Sequence, residues 1–228
     1  MVCCARAALP KIRAHHERGH PSRRRERAIT EAPTRTTTAA REGAQPYLNR
    51  WGPYTLTRDA VTPELIWRFC EVAEDANPVS WDEAAASESR FGRLVAPPQM
   101  IRSFAFAPWW SPDSVRARMR AESDALAESA DAPAPGSGAM AVVTGLGYTI
   151  ATVGSAEAEY LAPSGPGDGR IKSRSMTVDV SEEKQTRPGR GVFVTSVTEY
   201  RTEIGDRLIA RTTMTTLMYD PTTPRPGG

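Results

Sequence analysis

Asp75, Asn77 and Ser80 sit within one short stretch and offer a carboxylate, an amide and a hydroxyl. A carboxylate among polar partners can take a proton from water, whereas a hydroxyl orients water but does not titrate near neutral pH. Downstream, Arg90-Phe91-Gly92-Arg93 places two cations around an aromatic-glycine pair, a set suited to binding phosphate groups. Pro97-Pro98 and Trp109-Trp110 follow, and Trp109 suits either the wall of an apolar pocket or the cover of a sheet edge. Imidazole is the missing group. His15, His16 and His20 are the three histidines of the chain, so residues 21–228 contain none. Cys3 and Cys4 with those histidines are metal-ligand types, but the adjacent pairs lack zinc-finger spacing and no metal is expected.

The elements that must position these residues can be read from pattern. Tyr54 and Leu56 mark a short strand, and Thr62-Pro63-Glu64 is a helix start with proline at the first helical position. Leu65, Ile66, Phe69, Cys70 and Ala73 form one stripe, so this helix buries a face and stops near Asn77-Pro78, where proline disfavours helical geometry in the preceding residue. The Asp75–Asp82 stretch also suits a helix C-terminus followed by an ordinary Asx turn. A polar loop, a second helix from Met100 to about Pro108, a third from Asp113 to about Ala130 and a loop over Ala132–Gly138 are predicted next. Strands follow at Ala156–Leu161, Arg170–Val180, Val192–Tyr200 and Leu208–Tyr219, with turn signals at Gly165–Asp168, Arg187–Gly191 and Ile204–Asp206. The last three strands are expected to form an antiparallel meander. Helices first and a meander afterwards mean an α+β domain.

Asp75-Ala76-Asn77-Pro78-Val79-Ser80-Trp81-Asp82, Phe91-Gly92 and Val95-Ala96-Pro97-Pro98 together resemble the signature of the MaoC-like dehydratases and (R)-specific enoyl-CoA hydratases. That signature is Asp-x-Asn-Pro-x-His-x-Asp, then Phe-Gly, then Val-His-Gly or Ala-Pro-Pro. Glu159-Tyr160, Pro163, Pro166-Gly167-Asp168 and Glu199-Tyr200-Arg201 resemble later segments of the same family. The resemblance covers residues 47–220 and is nearest to the N-terminal dehydratase-like subfamily. It implies a single hot-dog fold, an antiparallel sheet around a central helix. It also implies reversible syn addition of water to a trans-2-enoyl thioester, giving an (R)-3-hydroxyacyl thioester of fatty-acid or polyketide metabolism. The carrier is coenzyme A or an acyl carrier, and no cofactor is implied.

Under that resemblance Asp75, Asn77 and Ser80 are the catalytic positions, and Arg90, Phe91, Gly92, Arg93, Pro97 and Trp109 the substrate-binding ones. Two departures bear on catalysis. Ser80 stands where the family has its histidine, and Pro97, which has no N–H, stands where the oxyanion glycine would be. Losing an acid/base partner costs roughly 10²–10⁴ in rate and losing an oxyanion donor roughly 10²–10³. The expectation is therefore a degenerate hydratase or dehydratase subunit paired with a competent hot-dog partner. A homodimeric enzyme with Asp75 as sole base, and a non-catalytic acyl-thioester binding or scaffold protein, are the alternatives.

The chain of 228 residues can bury one sizeable core. Residues 1–45 hold ten Lys/Arg against four Asp/Glu, and the rest nineteen against twenty-three. Without apolar periodicity, 1–45 reads as a disordered basic arm, 46–220 as the domain and 221–228 as a disordered tail. The arm lacks aromatics between its arginines, so nucleic acid is not an expected partner. No run of apolar residues is long enough for a membrane span, no secretory signal is evident, and three cysteines make no disulfide framework, so a cytoplasmic protein is expected. An unpaired sheet edge makes a dimer the expected assembly.

Overall fold

The computed structural model describes residues 39–105, 110–128 and 137–222. Trp109, the histidines, Cys3, Cys4 and most of the expected arm and tail lie outside them. Helices α1 (Ala39–Ala44), α2 (Pro63–Ala73), α3 (Glu83–Glu88), α4 (Met100–Ala105), α5 (Asp113–Glu128) and α6 (Ser137–Gly145) accompany strands β1 (Thr55–Ala60), β2 (Ile150–Tyr160), β3 (Arg170–Val180), β4 (Lys184–Thr186), β5 (Gly189–Thr202) and β6 (Leu208–Tyr219). One antiparallel sheet runs β1-β3-β5-β6-β2, with the short β4 pairing on β5. The predicted meander is β3-β5-β6, in continuous register apart from bulges at Thr177/Asp179 and Tyr200/Arg201.

Thr62 caps α2 by accepting from the Leu65 N–H, and Pro63 fills the first helical position, where a missing N–H costs nothing. Ile66 and Cys70 turn fully inward onto Ile171, Tyr200, Ile209 and Ala210 of the sheet, with Leu65 and Phe69 packed beside them. Ala73, expected on the buried stripe, is exposed. A second cluster at the other end of the sheet joins Ala40 and Ala44 of α1 to Ala139 and Val143 of α6, over Val180, Val192, Val194 and Met218.

This second cluster corrects the boundary drawn at residue 45. Gln45 and the helix before it belong to the folded body, because Ala40 and Ala44 are buried against α6. Tyr47 fixes the same corner: a Cβ on Gly138 would fall 2.1 Å from its ring, so only glycine lets α6 approach. Helix α6 also starts inside the stretch expected as a loop. Its Gly-Ala-Met-Ala-Val-Val run is apolar all round and lacks the stripe that periodicity detects. Helix α3 interrupts the expected polar loop, capped by Asp82, which accepts from Ala84 N–H at 2.7 Å and Ala85 N–H at 3.2 Å. Strand β2 starts well before Ala156, since a bulge between Val153 and Ser155 absorbs Gly154.

A chain starting at Pro46 should therefore melt about 4–8 °C below one starting at Ala39, for roughly 2 kcal/mol of lost apolar burial. Scanning calorimetry decides this, and a difference under about 1 °C would show that α1 contributes nothing.

The opposite sheet face carries charge. Glu199 is buried and accepts from Arg211 at 2.9 Å and Arg174 at 3.1 Å, while Arg174 lies over the rings of Trp51 and Tyr54. Burial alone would raise the Glu199 pKa, yet the two guanidiniums outweigh it and hold the carboxyl below its ordinary value. Glu199, part of the family-like strand motif, thus holds the sheet together away from the candidate site.

Candidate active site

Helix α2 ends when Glu74 adopts a left-handed conformation, at φ 52°, and its N–H closes on the Cys70 carbonyl. The chain then makes two successive Asx turns. Asp75 Oδ1 accepts from the Asn77 N–H at 3.0 Å, and Asn77 Oδ1 accepts from the Val79 N–H at 3.4 Å. The Trp81 indole donates to the Asp75 carbonyl at 2.5 Å. These bonds fix the direction in which the Asp75 carboxylate leaves the backbone.

Ser80 is buried at 2% exposure, and its hydroxyl donates to the Val95 carbonyl at 2.8 Å. The Val95 N–H returns to the Val79 carbonyl at 3.1 Å, and the next N–H, of Ala96, donates to the Ser164 carbonyl at 2.8 Å. Three loops are stitched in this way: 75–82 to 94–97, and 94–97 to 161–168. Gly165 permits the last contact, because a Cβ there would fall 2.3 Å from the Leu94 carbonyl oxygen.

A cavity of about 540 Å³ opens between these loops. Asp75, Asn77, Ser80, Arg90, Phe91 and Pro97 all line it, so the structure brings six of the sequence-selected residues together. Gly92 and Arg93 are not in the lining. Gly92 has φ 65° and serves the turn closed by its N–H on the Ser89 carbonyl. Arg93 donates to the Pro166 carbonyl at 2.9 Å and to Asp168 at 2.8 Å, so its guanidinium is committed to the fold and the phosphate-binding expectation is corrected for it. Arg90, by contrast, is exposed and lies over the Phe91 ring at 4.7 Å.

Sequence reasoning missed the roles of three residues. Asp168 stood in the sequence as a turn residue and as part of the family-like Pro-Gly-Asp segment, without a role, yet its buried carboxylate gathers Arg93, Arg207 at 3.0 Å and the Gly165 N–H at 2.9 Å. Ile209 and Gln99 line the cavity without any motif to announce them. Cys70 lies beneath the site, and burial, helped by the nearby Asp75 carboxylate, pushes its thiol pKa up, away from nucleophilic use. Among the described residues no His/Cys/Asp/Glu group is arranged to hold a metal, and no helix is long and apolar enough to cross a membrane.

With its hydroxyl on the Val95 carbonyl, Ser80 acts as a staple between loops. Ser80→Ala should cost about 1–3 kcal/mol, as expected for a buried carbonyl left without its donor. Urea denaturation measures this; an unchanged midpoint would mean that the bond does not hold the loops.

Comparison with known proteins identifies the family and the fold. The family model described as FAS1-like, dehydratase domain region, matches residues 52–211. A probable enoyl-CoA hydratase alpha subunit of Thermomonospora curvata is 28% identical over 152 residues, 65% of this chain and 42% of its own length. The chain thus spans less than half of that curated relative. Among solved structures, the ChsH1-ChsH2 complex of Mycobacterium tuberculosis contains a chain that matches with a TM-score of 0.63 at 22% identity, covering 80% of this chain and 97% of that one. A MaoC-like dehydratase from Rhodospirillum rubrum matches with a TM-score of 0.46 at 15% identity, over 74% of this chain and 92% of its own. The sheet with α2 on one face, the loops that build the cavity and the extent of the family match lead to one assignment: the chain belongs to the FAS1-like dehydratase-domain family and has the hot-dog fold.

Proposed function

We propose that this protein is a hydratase/dehydratase subunit that holds an enoyl or 3-hydroxyacyl thioester and relies on a second hot-dog subunit for the full acid/base and oxyanion machinery. The observation that carries this is the commitment of the site's own groups. The Ser80 hydroxyl is donated to Val95 and the Ala96 N–H to Ser164, and Pro97 has no N–H to offer an enolate oxygen. Asp75 is the one strong base among the motif residues in the lining. A carboxylate alone can accept a proton from water, but the family's oxyanion donor is missing at Pro97, and the Ser80 hydroxyl and Ala96 N–H beside it are already committed.

The remaining lining suits binding. Phe91, Val95, Ile101, Leu161 and Ile209 supply apolar wall, and exposed Arg90 offers a guanidinium to the phosphates of coenzyme A or of a carrier protein. The edge strand β2 supports a partner. All of its residues are exposed, including Ile150, Val153 and Tyr160, and one side of its backbone ladder is unpaired. The names of the relatives fit this arrangement: one is an alpha subunit, and another comes from a complex of two differently named chains.

Mixing the purified chain with a hot-dog protein that carries the complete Asp-x-x-x-x-His pair and a glycine donor should give a stable complex by light scattering. Persistence of this chain as a self-contained dimer, unchanged by any such protein, would favour a homodimeric enzyme with Asp75 as its base.

A further inference from the structure

The sheet face that carries α2 and α6 is apolar at its two ends and hydroxylic between them. Val192, Val194, Thr198 and Tyr200 share this face by strand alternation on β5. The two valines pack under α1 and α6, and Tyr200 packs under α2. Between these clusters lies a second cavity of about 290 Å³, lined by the hydroxyls of Thr55, Ser173, Ser175, Thr198, Tyr200 and Thr212, together with Arg102, Ala156 and Met214. Thr55, Ser175, Arg102 and Ala156 are exposed there, so the cavity is open to solvent, and its lining is hydroxylic where the two flanking stretches of the same face are apolar.

The hydroxyls pair with one another: Ser175 with Thr198 at 2.8 Å, Thr55 with Ser173 at 3.2 Å and Tyr200 with Thr212 at 3.4 Å. The Ser175–Thr198 and Tyr200–Thr212 pairs each use one of their two O–H protons internally and leave the other available, whereas Thr55 also reaches the Ser173 carbonyl at 3.3 Å. Arg102 adds guanidinium donors. The two cavities adjoin the same elements. Ile101 and Arg102, neighbours on α4, line the first and the second respectively. On β2, Tyr160 lines the first and Ala156 the second, about 13 Å apart at ~3.3 Å per residue. Ala158 is the residue between them on the same face.

We propose that the hydroxyl-lined cavity receives the far end of the acyl chain, and that the natural acyl group carries hydroxyl or keto oxygens there instead of ending in plain hydrocarbon. This rests on the thioester reading above and adds the substrate class. A hydrocarbon terminus would strip water from the hydroxyls and Arg102 without replacing its hydrogen bonds, which a site of this composition should penalise.

Calorimetric titration of the full chain with a medium-chain saturated acyl-CoA and with its terminal-hydroxyl counterpart tests this. The hydroxylated thioester should bind about tenfold more tightly, the scale of one or two net hydrogen bonds. Thr198→Val together with Ser175→Ala should bring the two affinities within about twofold, by weakening binding of the hydroxylated thioester and relieving the desolvation penalty on the saturated one. If the double variant does not fold, Ser175→Ala alone, at an exposed position, should still reduce the preference. Equal binding of both thioesters to the wild-type chain, or a preference that survives these substitutions, would overturn the polar-acyl inference and leave the thioester reading standing. Binding of neither would sink the thioester reading and this inference with it.

Discussion

Asp168→Ala should destabilise the protein by about 3–5 kcal/mol, the range for removing one partner of a buried charge network. Its carboxylate is 10% exposed and accepts from Arg93, Arg207 and the Gly165 N–H at once. Without it, the half-buried Arg93 keeps only the Pro166 carbonyl, and the turn from Gly165 to Asp168 keeps its backbone bond but loses the one its carboxylate accepts from the Gly165 N–H. That turn carries Ser164, whose carbonyl receives the Ala96 N–H, so the cavity wall should loosen with it. Thermal melting should fall by roughly 6–20 °C at 2–4 °C per kcal/mol for a domain of this size. A drop under about 2 °C would mean that solvent replaces the carboxylate and that the three loops are held by other contacts.

Asp75→Asn has the opposite profile, with little effect on stability and a large one on chemistry. Asparagine is nearly isosteric and its side-chain oxygen can still accept from the Asn77 N–H, so the turn after α2 should persist. The base is lost. Whatever thioester turnover the chain sustains by itself should fall at least about 10²-fold, as for the removal of an essential general base. Turnover within about threefold of wild type would show that Asp75 lines the cavity without acting there, and the variant's melting curve separates this from unfolding.

The parts of the fold legible in the sequence are those fixed by local rules. The Thr62-Pro63 start of α2 follows from capping chemistry, and the bounds of β3 and β6 follow from β-branched runs between clear turns. The parts that were not legible depend on tertiary contact. Helix α6 is apolar even where Ala141 is exposed, so its pattern does not show that Ala139 and Val143 are the buried positions, and α1 looks like part of a polar arm until Ala40 and Ala44 meet α6. The candidate site divides in the same way. Asp75, Asn77, Ser80 and Pro97 lie near one another in sequence and form a motif, so they could be found together. The difference between Arg90 and Arg93 could not be read, because it depends on which of them meets Asp168, more than seventy residues away. The role of Ser80 was legible as a missing imidazole, but its bond to Val95 was not.

Turnover of a trans-2-enoyl-CoA by the purified full-length chain, alone and with a histidine-bearing hot-dog subunit, tests the account most directly. Alone, the chain should work below about 0.01 s⁻¹, at least a hundredfold under the lower end of ordinary enzyme rates. Together, the two should reach about 1 s⁻¹ or more. A chain that hydrates the thioester at about 1 s⁻¹ without any partner would contradict the proposal, because Asp75 and its neighbours would then complete the reaction without an imidazole or the glycine N–H.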